Sequence, residues 1–145
     1  MNKFNVILGN EILTVSVLAW FLAQTLKVIG VLIKYRKLDF RRFVGSGGMP
    51  SSHSAFVCAM SFGVGENMGY ESPLFGVCVV MSLIVMYDAA GVRRAAGKQA
   101  VVLNKLVNEI DTNLVEERLK ELLGHTPVEV LVGGILGIIL AIFYI

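Results

Sequence analysis

Cysteine, histidine and net charge are all scarce in this chain. It has two cysteines, Cys58 and Cys78. Both lie inside apolar runs without paired spacing, so neither a disulfide framework nor a zinc site is expected, and both read as small packing residues. No internal repeat or low-complexity linker divides the chain, which reads as one membrane domain over residues 1–145. No Ala-x-Ala site follows the first apolar run, and its leader holds Glu11 as well as Lys3, so that run is expected to stay as a membrane helix rather than be removed as a signal. The net charge is only +2, so the placement of charge says more than its total. Neither a metal, nor another cofactor, nor a nucleic-acid partner is expected.

Apolar residues are abundant instead. Of the 145 residues, 55% are hydrophobic, and the mean hydropathy of +0.70 exceeds that of soluble domains. The excess falls in long runs, as in chains that span a bilayer. The expected fold is all-α: an integral membrane helical bundle of about four transmembrane helices plus a cytoplasmic amphipathic helix. The expected spans are about 12–33, 52–68, 73–87 and 128–145. The second is the weakest, being rich in Ala, Ser and Gly. It carries Ala55, Ala59 and Gly63 at i, i+4 spacing, and the last span carries Gly133 and Gly137 likewise. Small residues at this spacing let helix backbones approach closely in lipid, so these two helices are expected to pack together, within one chain or across a homo-oligomer.

Between about residues 98 and 123 the pattern changes. Leu103, Leu106, Val107, Ile110, Leu114, Leu119 and Leu122 recur between Lys105, Glu109, Glu116, Glu117 and Lys120. This is an amphipathic helical pattern, fit either to lie on the cytoplasmic membrane surface or to pack on the bundle. Basic residues set the expected topology. Lys34, Arg36, Lys37, Arg41 and Arg42 follow the first span, and Arg93, Arg94 and Lys98 follow the third, whereas the turn between the second and third holds Glu66 and Glu71 and no base. Basic loops face the cytoplasm. Both termini are therefore expected outside, with both basic loops in the cytoplasm, in a multi-pass protein of the cell membrane.

Three polar islands interrupt the apolar chain, and this topology puts all of them at the cytoplasmic face. The first is Gly45-Ser46-Gly47-Gly48-Met49-Pro50-Ser51-Ser52-His53-Ser54. The start of a helix offers unpaired N–H groups and a positive dipole end, and Gly47 and Gly48 permit close backbone approach, which together favour an anion. Ser51 or Ser52 would cap the helix, and His53 would face the anion from its first turn; the alternative is a capped helix with His53 at the interface. The second island runs from Asp88 to Gln99. Arg93 and Arg94 suit the oxygens of a phosphate, or else one of them pairs with Asp88, which stands at the end of an apolar run and needs a partner. The third is Gly124-His125-Thr126-Pro127-Val128-Glu129. Thr126, Pro127 and Glu129 form a capping-box pattern; alternatively Glu129 bonds His125 and orients its ring as an acid does for a catalytic histidine. The two histidines of the chain, His53 and His125, thus both open a membrane helix on one face, beside arginines.

Pro50-Ser51-Ser52-His53 resembles the Pro-Ser-Gly-His signature of type 2 phosphatidic-acid phosphatases, which share a fold with vanadium haloperoxidases. His125 to Glu129, followed by Gly133, resembles their closing His-x-x-x-Asp motif. Taken with Gly-Gly-Met-Pro-Ser-Ser-His-Ser and Asp-Ala-Ala-Gly-Val-Arg-Arg-Ala-Ala-Gly-Lys-Gln, nearly the whole chain resembles the divergent, haloperoxidase-related branch of that superfamily. The resemblance implies a metal-independent phosphatase acting on a lipid phosphate or diphosphate through a phosphohistidine. In it His125 attacks phosphorus, Glu129 orients it, and His53 protonates the leaving oxygen. Arg93 or Arg94, the backbone at Ser51 and Ser52, and Lys27 hold the phosphoryl oxygens, with Asp88, Gly47 and Gly48 in orienting or structural roles. Its partners would be membrane lipid and phosphate or vanadate-like anions. Ser52 replaces the signature glycine and Glu129 the aspartate, and Lys27 and Lys34 are rival substitutes for the opening lysine. The alternative function is a non-catalytic membrane protein that binds an anion or lipid headgroup. A transporter is disfavoured, because no span carries a midplane charge and Lys27, near a helix end, could snorkel.

Overall fold

A computed structural model describes residues 9–36, 48–110, 119 and 124–145, with residues 34–35 and 108–110 described by backbone alone. Among the described residues there are five α-helices and no strand: α1 (Glu11–Tyr35), α2 (Ser52–Met68), α3 (Pro73–Ala90), α4 (Val92–Ile110) and α5 (Pro127–Tyr144). Local sequence accounts for the helix starts. The side chains of Asn10, Ser51, Ser72 and Thr126 each accept a bond from a backbone N–H in the first turn of the helix that follows, satisfying donors that have no intrahelical partner. Pro73 and Pro127 stand where a missing N–H costs nothing.

Among the described residues three helical stretches are long and apolar enough to cross a membrane: Glu11–Ile33, the one beginning at Pro73, and Pro127–Tyr144. The segment expected as the second span is a 17-residue helix, α2. It sits at the centre, against α1, α3 and α5. Its weak hydropathy follows from that place, since its surface meets other helices and needs small residues more than greasy ones. The closest packing is between α2 and α5, along the small residues picked out in sequence. A Cβ on Gly137 would run into the Ala55 carbonyl oxygen, and one on Gly133 into that of Ser51. Ala19, Ala23, Ala55 and Ala59 form the buried cluster with Leu136 and Leu140 against it. Outside, Phe21, Ile33, Val77, Ile84 and Phe143 are exposed. Small residues inside and large apolar ones outside is the arrangement expected where lipid is the solvent and close approach drives helix association.

Polar groups join α2 to α3 as well. Ser61 and Ser82 hydroxyls lie 2.7 Å apart, and both reach the Val57 carbonyl at 2.9 Å. Ser82 is a buried polar group on a helix that mostly faces outwards. Ser82→Ala is expected to lower unfolding stability by about 0.5–1 kcal/mol, read by denaturant unfolding in mixed micelles; no change would mean that the serine pair contributes nothing net.

The second island departs from the expectation of a connecting loop. Helix α3 continues to Ala90 and α4 begins at Val92, with Gly91 in a non-helical conformation between them. The amphipathic helix therefore begins before Lys98 and takes Arg93 and Arg94 into its first turn. Except for Leu119, its expected continuation past residue 110 lies outside the described residues, as do Gly47, Arg41 and Arg42.

Candidate functional site

The helix order brings the islands together. Helix α2 starts, α3 ends and α5 starts at one end of the bundle, and the Phe62–Tyr70–Phe75 ring cluster closes the turn at the other. The chain at the site end is tied by backbone bonds. Ser51 N–H donates to the Glu129 carbonyl at 2.9 Å, and His125 N–H to the Ala89 carbonyl at 2.9 Å. These link the first island to the third, and the third to the end of α3.

His125 is almost wholly buried, at 3% exposure. Its Nδ1 lies 3.1 Å from Glu129 Oε2. The same oxygen accepts the Thr126 N–H at 3.1 Å, while Thr126 Oγ1 accepts the Glu129 N–H at 3.3 Å. Capping and ring orientation, two readings of Glu129 in the sequence, therefore hold at once. A carboxylate facing Nδ1 fixes the proton there and leaves Nε2 as the basic nitrogen. Nε2 is buried and has no hydrogen-bond partner among the described residues; the Gly48 backbone approaches the ring and favours its protonation without meeting hydrogen-bond geometry.

Burial is the largest influence on the His125 pKa and pushes it below the ordinary 6.5; the Glu129 hydrogen bond opposes this, and the Lys27 charge reinforces it. The ring is accordingly neutral at pH 7. A depressed folded pKa makes this group's contribution to stability complete above the unfolded value of 6.5, and acidification through the lower folded value removes it. Glu129→Gln deletes the charge that raises the pKa, so the His125 titration should move to still lower pH. Side-chain NMR, with His53→Ala to isolate the signal, reads this directly; a shift upwards would show that the carboxylate does not govern the ring.

Ser51 caps α2. Its hydroxyl accepts from the Ser54 N–H at 3.3 Å and from the Ser54 hydroxyl at 2.9 Å, all in buried surroundings. Lys27 does not snorkel. It is 3% exposed and donates from Nζ to Ser52 Oγ at 3.3 Å, so a cation from α1 stands at the start of α2. His53 is exposed and lies within electrostatic reach of Arg93, His125, Lys27 and Asp88. Arg93 Nε pairs with Asp88 Oδ2 at 2.6 Å, which is the structural alternative weighed for this island. Arg94 is exposed and among the described residues has no ion-pair partner. The Lys34 side chain is not among those described.

Some contributors carry no obvious signal in sequence. Gly124 has a φ of 83°, and its Cα lies so close to the Arg93–Arg94 peptide that an added Cβ would strike it. Only glycine accepts both conditions; its place directly before His125 is the hint. Ser54 and the Ala89 carbonyl are named only by distance in space. No group of acidic, histidine or cysteine side chains able to hold a metal occurs among the described residues.

Buried neutral histidine, orienting carboxylate, inward lysine and paired arginine at one end of apolar helices define a polytopic membrane bundle with a polar, cation-rich end. The sequence profile of the divergent PAP2 family matches residues 8–140, and the chain belongs to that family. It is 44% identical, over 149 aligned residues covering 94% of each chain, to the uncharacterized membrane protein YuiD of Bacillus subtilis (strain 168). No solved structure matches the chain. The resemblance drawn from the Pro-Ser-Ser-His and closing His-x-x-x-Glu motifs is thereby borne out, and the protein is a PAP2-related membrane protein.

Proposed function

We propose that the protein hydrolyses the phosphate or diphosphate of a membrane-borne lipid through a phosphohistidine at His125. The observation that carries this reading is the buried His125 ring, with Nδ1 on Glu129 and Nε2 without a partner among the described residues. In the first step Nε2 forms a bond to phosphorus as the bond to the lipid oxygen breaks. The imidazole becomes cationic, and Glu129 stabilises that charge through the Nδ1 proton. His53 gives a proton to the departing oxygen. In the second step water attacks phosphorus, His53 takes its proton, and phosphate leaves His125. Lys27, the α2 N-terminus and Arg93 or Arg94 supply positive charge for the phosphoryl oxygens. For Arg93 this requires exchange of its Asp88 partner or sharing with it.

A substrate held in the bilayer suits a site at the mouth of apolar helices. The basic residues Arg36, Arg93, Arg94 and Lys98 gather at the site end, and Glu66 and Glu71 at the other, which supports a cytoplasmic site in the cell membrane.

The test is phosphate release by purified protein from lipid phosphates and polyprenyl diphosphates, beside an aryl phosphate. His53→Ala is expected to lower release from the lipid substrates by about 10²–10³-fold. It should spare the aryl ester, whose leaving oxygen needs no proton. Equal loss on both would remove His53 from the role of acid.

The second reading is binding of a phosphate-like anion or lipid headgroup without turnover. The departures from the phosphatase signatures, Ser52 in place of glycine and Glu129 in place of aspartate, favour it. Phosphate or vanadate binding by well-folded protein that releases no phosphate from any substrate would establish it.

A further inference from the structure

Helix α4 departs from the rest of the bundle. Among the described residues it packs on no helix but α3, from which it follows directly across Gly91. It is nevertheless strongly two-sided in composition, and its surface divides into sectors. Gly97, Ala100 and Asn104 lie on one side and are buried. There Asn104 holds the returning chain by both ends of its amide: Nδ2 donates to the Leu119 carbonyl at 2.9 Å, and Oδ1 accepts the Leu119 N–H at 3.1 Å. On roughly the opposite side of the helix, Val92, Val102, Leu103 and Leu106 are exposed. Arg94, Lys98 and Lys105 run along the flank between the two, also exposed.

A basic flank beside an exposed apolar stripe, on a helix joined without a linker to a membrane-crossing one, matches the chemistry of a bilayer surface. The apolar side chains enter the acyl boundary, and the cations remain at the headgroup level. Water would leave the stripe unsatisfied, and no described helix covers it. The acidic residue of this helix, Glu109, comes after Lys105, so the basic flank is uninterrupted from Arg94 to Lys105.

We infer that α4 is an interfacial helix that binds an anionic lipid surface through Arg94, Lys98 and Lys105, with Val92, Val102, Leu103 and Leu106 immersed and Leu119 and Gly124 held away from the bilayer. Leu119 is tied to α4 by Asn104, and Gly124, directly before His125, lies on the Arg93–Arg94 peptide. The bilayer surface thereby sets the position of Gly124 and, through it, of His125. The inference holds whether or not His125 turns over a substrate, because it concerns where α4 rests.

The experiment uses the full chain in vesicles. With Trp20→Phe to remove the single tryptophan, Leu103→Trp and Leu106→Trp are made separately, each at an already exposed position. Tryptophan quenching is measured with phospholipids brominated near the headgroup or near the bilayer centre, as phosphatidylglycerol replaces phosphatidylcholine. Both tryptophans should be quenched, more by the shallow bromines than by the deep ones, and increasingly with phosphatidylglycerol. Lys98→Gln with Lys105→Gln should reduce the docked-to-undocked ratio by about fivefold per lysine, so half-maximal quenching should need a higher phosphatidylglycerol fraction. Absence of quenching in every vesicle would overturn the inference. So would stronger quenching by the deep bromines, which would make α4 part of a span. Quenching indifferent to phosphatidylglycerol and to both lysines would overturn the anionic preference.

Discussion

Replacing His125 by alanine is expected to reduce phosphate release from a lipid substrate by about 10⁴-fold, to the background. The size follows from the role proposed for the side chain. Among the described residues nothing else at this end of the bundle offers an unprotonated nitrogen backed by a carboxylate; His53 is an exposed ring with no hydrogen-bonded carboxylate among them. Water entering the space left by the imidazole would lack the covalent intermediate and the preorganised base. His125→Asn should fall as far while keeping a donor for Glu129, which separates loss of the nucleophile from loss of packing. Unfolding curves for both variants check that the bundle persists. A second readout is independent of the rate. Substrate labelled at phosphorus should leave acid-labile, alkali-stable label on wild-type protein, and none on either variant. Full release by His125→Ala would mean that a histidine at this position is not the nucleophile, whatever the family relationship.

Gly137→Ala is expected to destabilise the protein by about 2–4 kcal/mol. The added methyl would meet the Ala55 carbonyl oxygen, with the Ala59 nitrogen at 2.9 Å and the Ala55 carbonyl carbon at 3.0 Å. All three are backbone atoms, and no rotamer change relieves the collision. Helices α2 and α5 would have to move apart, loosening the alanine cluster with Leu136 and Leu140. Gly133→Ala should cost a similar amount and also disturb the site, because it strikes Ser51 where that residue caps α2 and donates to Glu129. Gly76→Ala is the control, since nothing lies within 4 Å of the added atom; it should change stability by no more than about 0.5 kcal/mol. Reversible unfolding in mixed micelles measures all three. A Gly137→Ala protein as stable as the wild type would mean that α2 and α5 do not approach this closely.

Much of the architecture is readable along the chain because its causes are local. Apolar runs of bilayer length, Ser or Thr before a proline, and glycine or alanine at every fourth place act within a turn or two of helix. Hence the helix starts at Ser52, Pro73 and Pro127, and the α2–α5 contact, coincide with sequence features. The second island was harder to read. Asp88 to Gln99 has the glycines and charges of a loop, yet only Gly91 leaves the helical conformation. Alanines on both sides of it favour helix, and their propensity outweighs the local polarity. The direction of Lys27 was open in the sequence for a different reason. Snorkelling is the default for a lysine near a span's end, and only a buried partner on another helix, Ser52, reverses it.

The sequence by itself determined that this is a membrane-spanning helical protein of the divergent PAP2 family, and which residue types stand at the helix starts. Those properties depend on hydropathy, capping and motif, each expressed over a few adjacent residues. Tertiary structure alone decided that Glu129 serves the cap and His125 through one oxygen, that Lys27 turns inward, that Arg93 takes Asp88, and that Gly124 rests on the arginine peptide. Each of these depends on how far helices are rotated and how closely they approach. In lipid that is set by where glycine and alanine let backbones meet, a condition between distant segments that no local pattern contains.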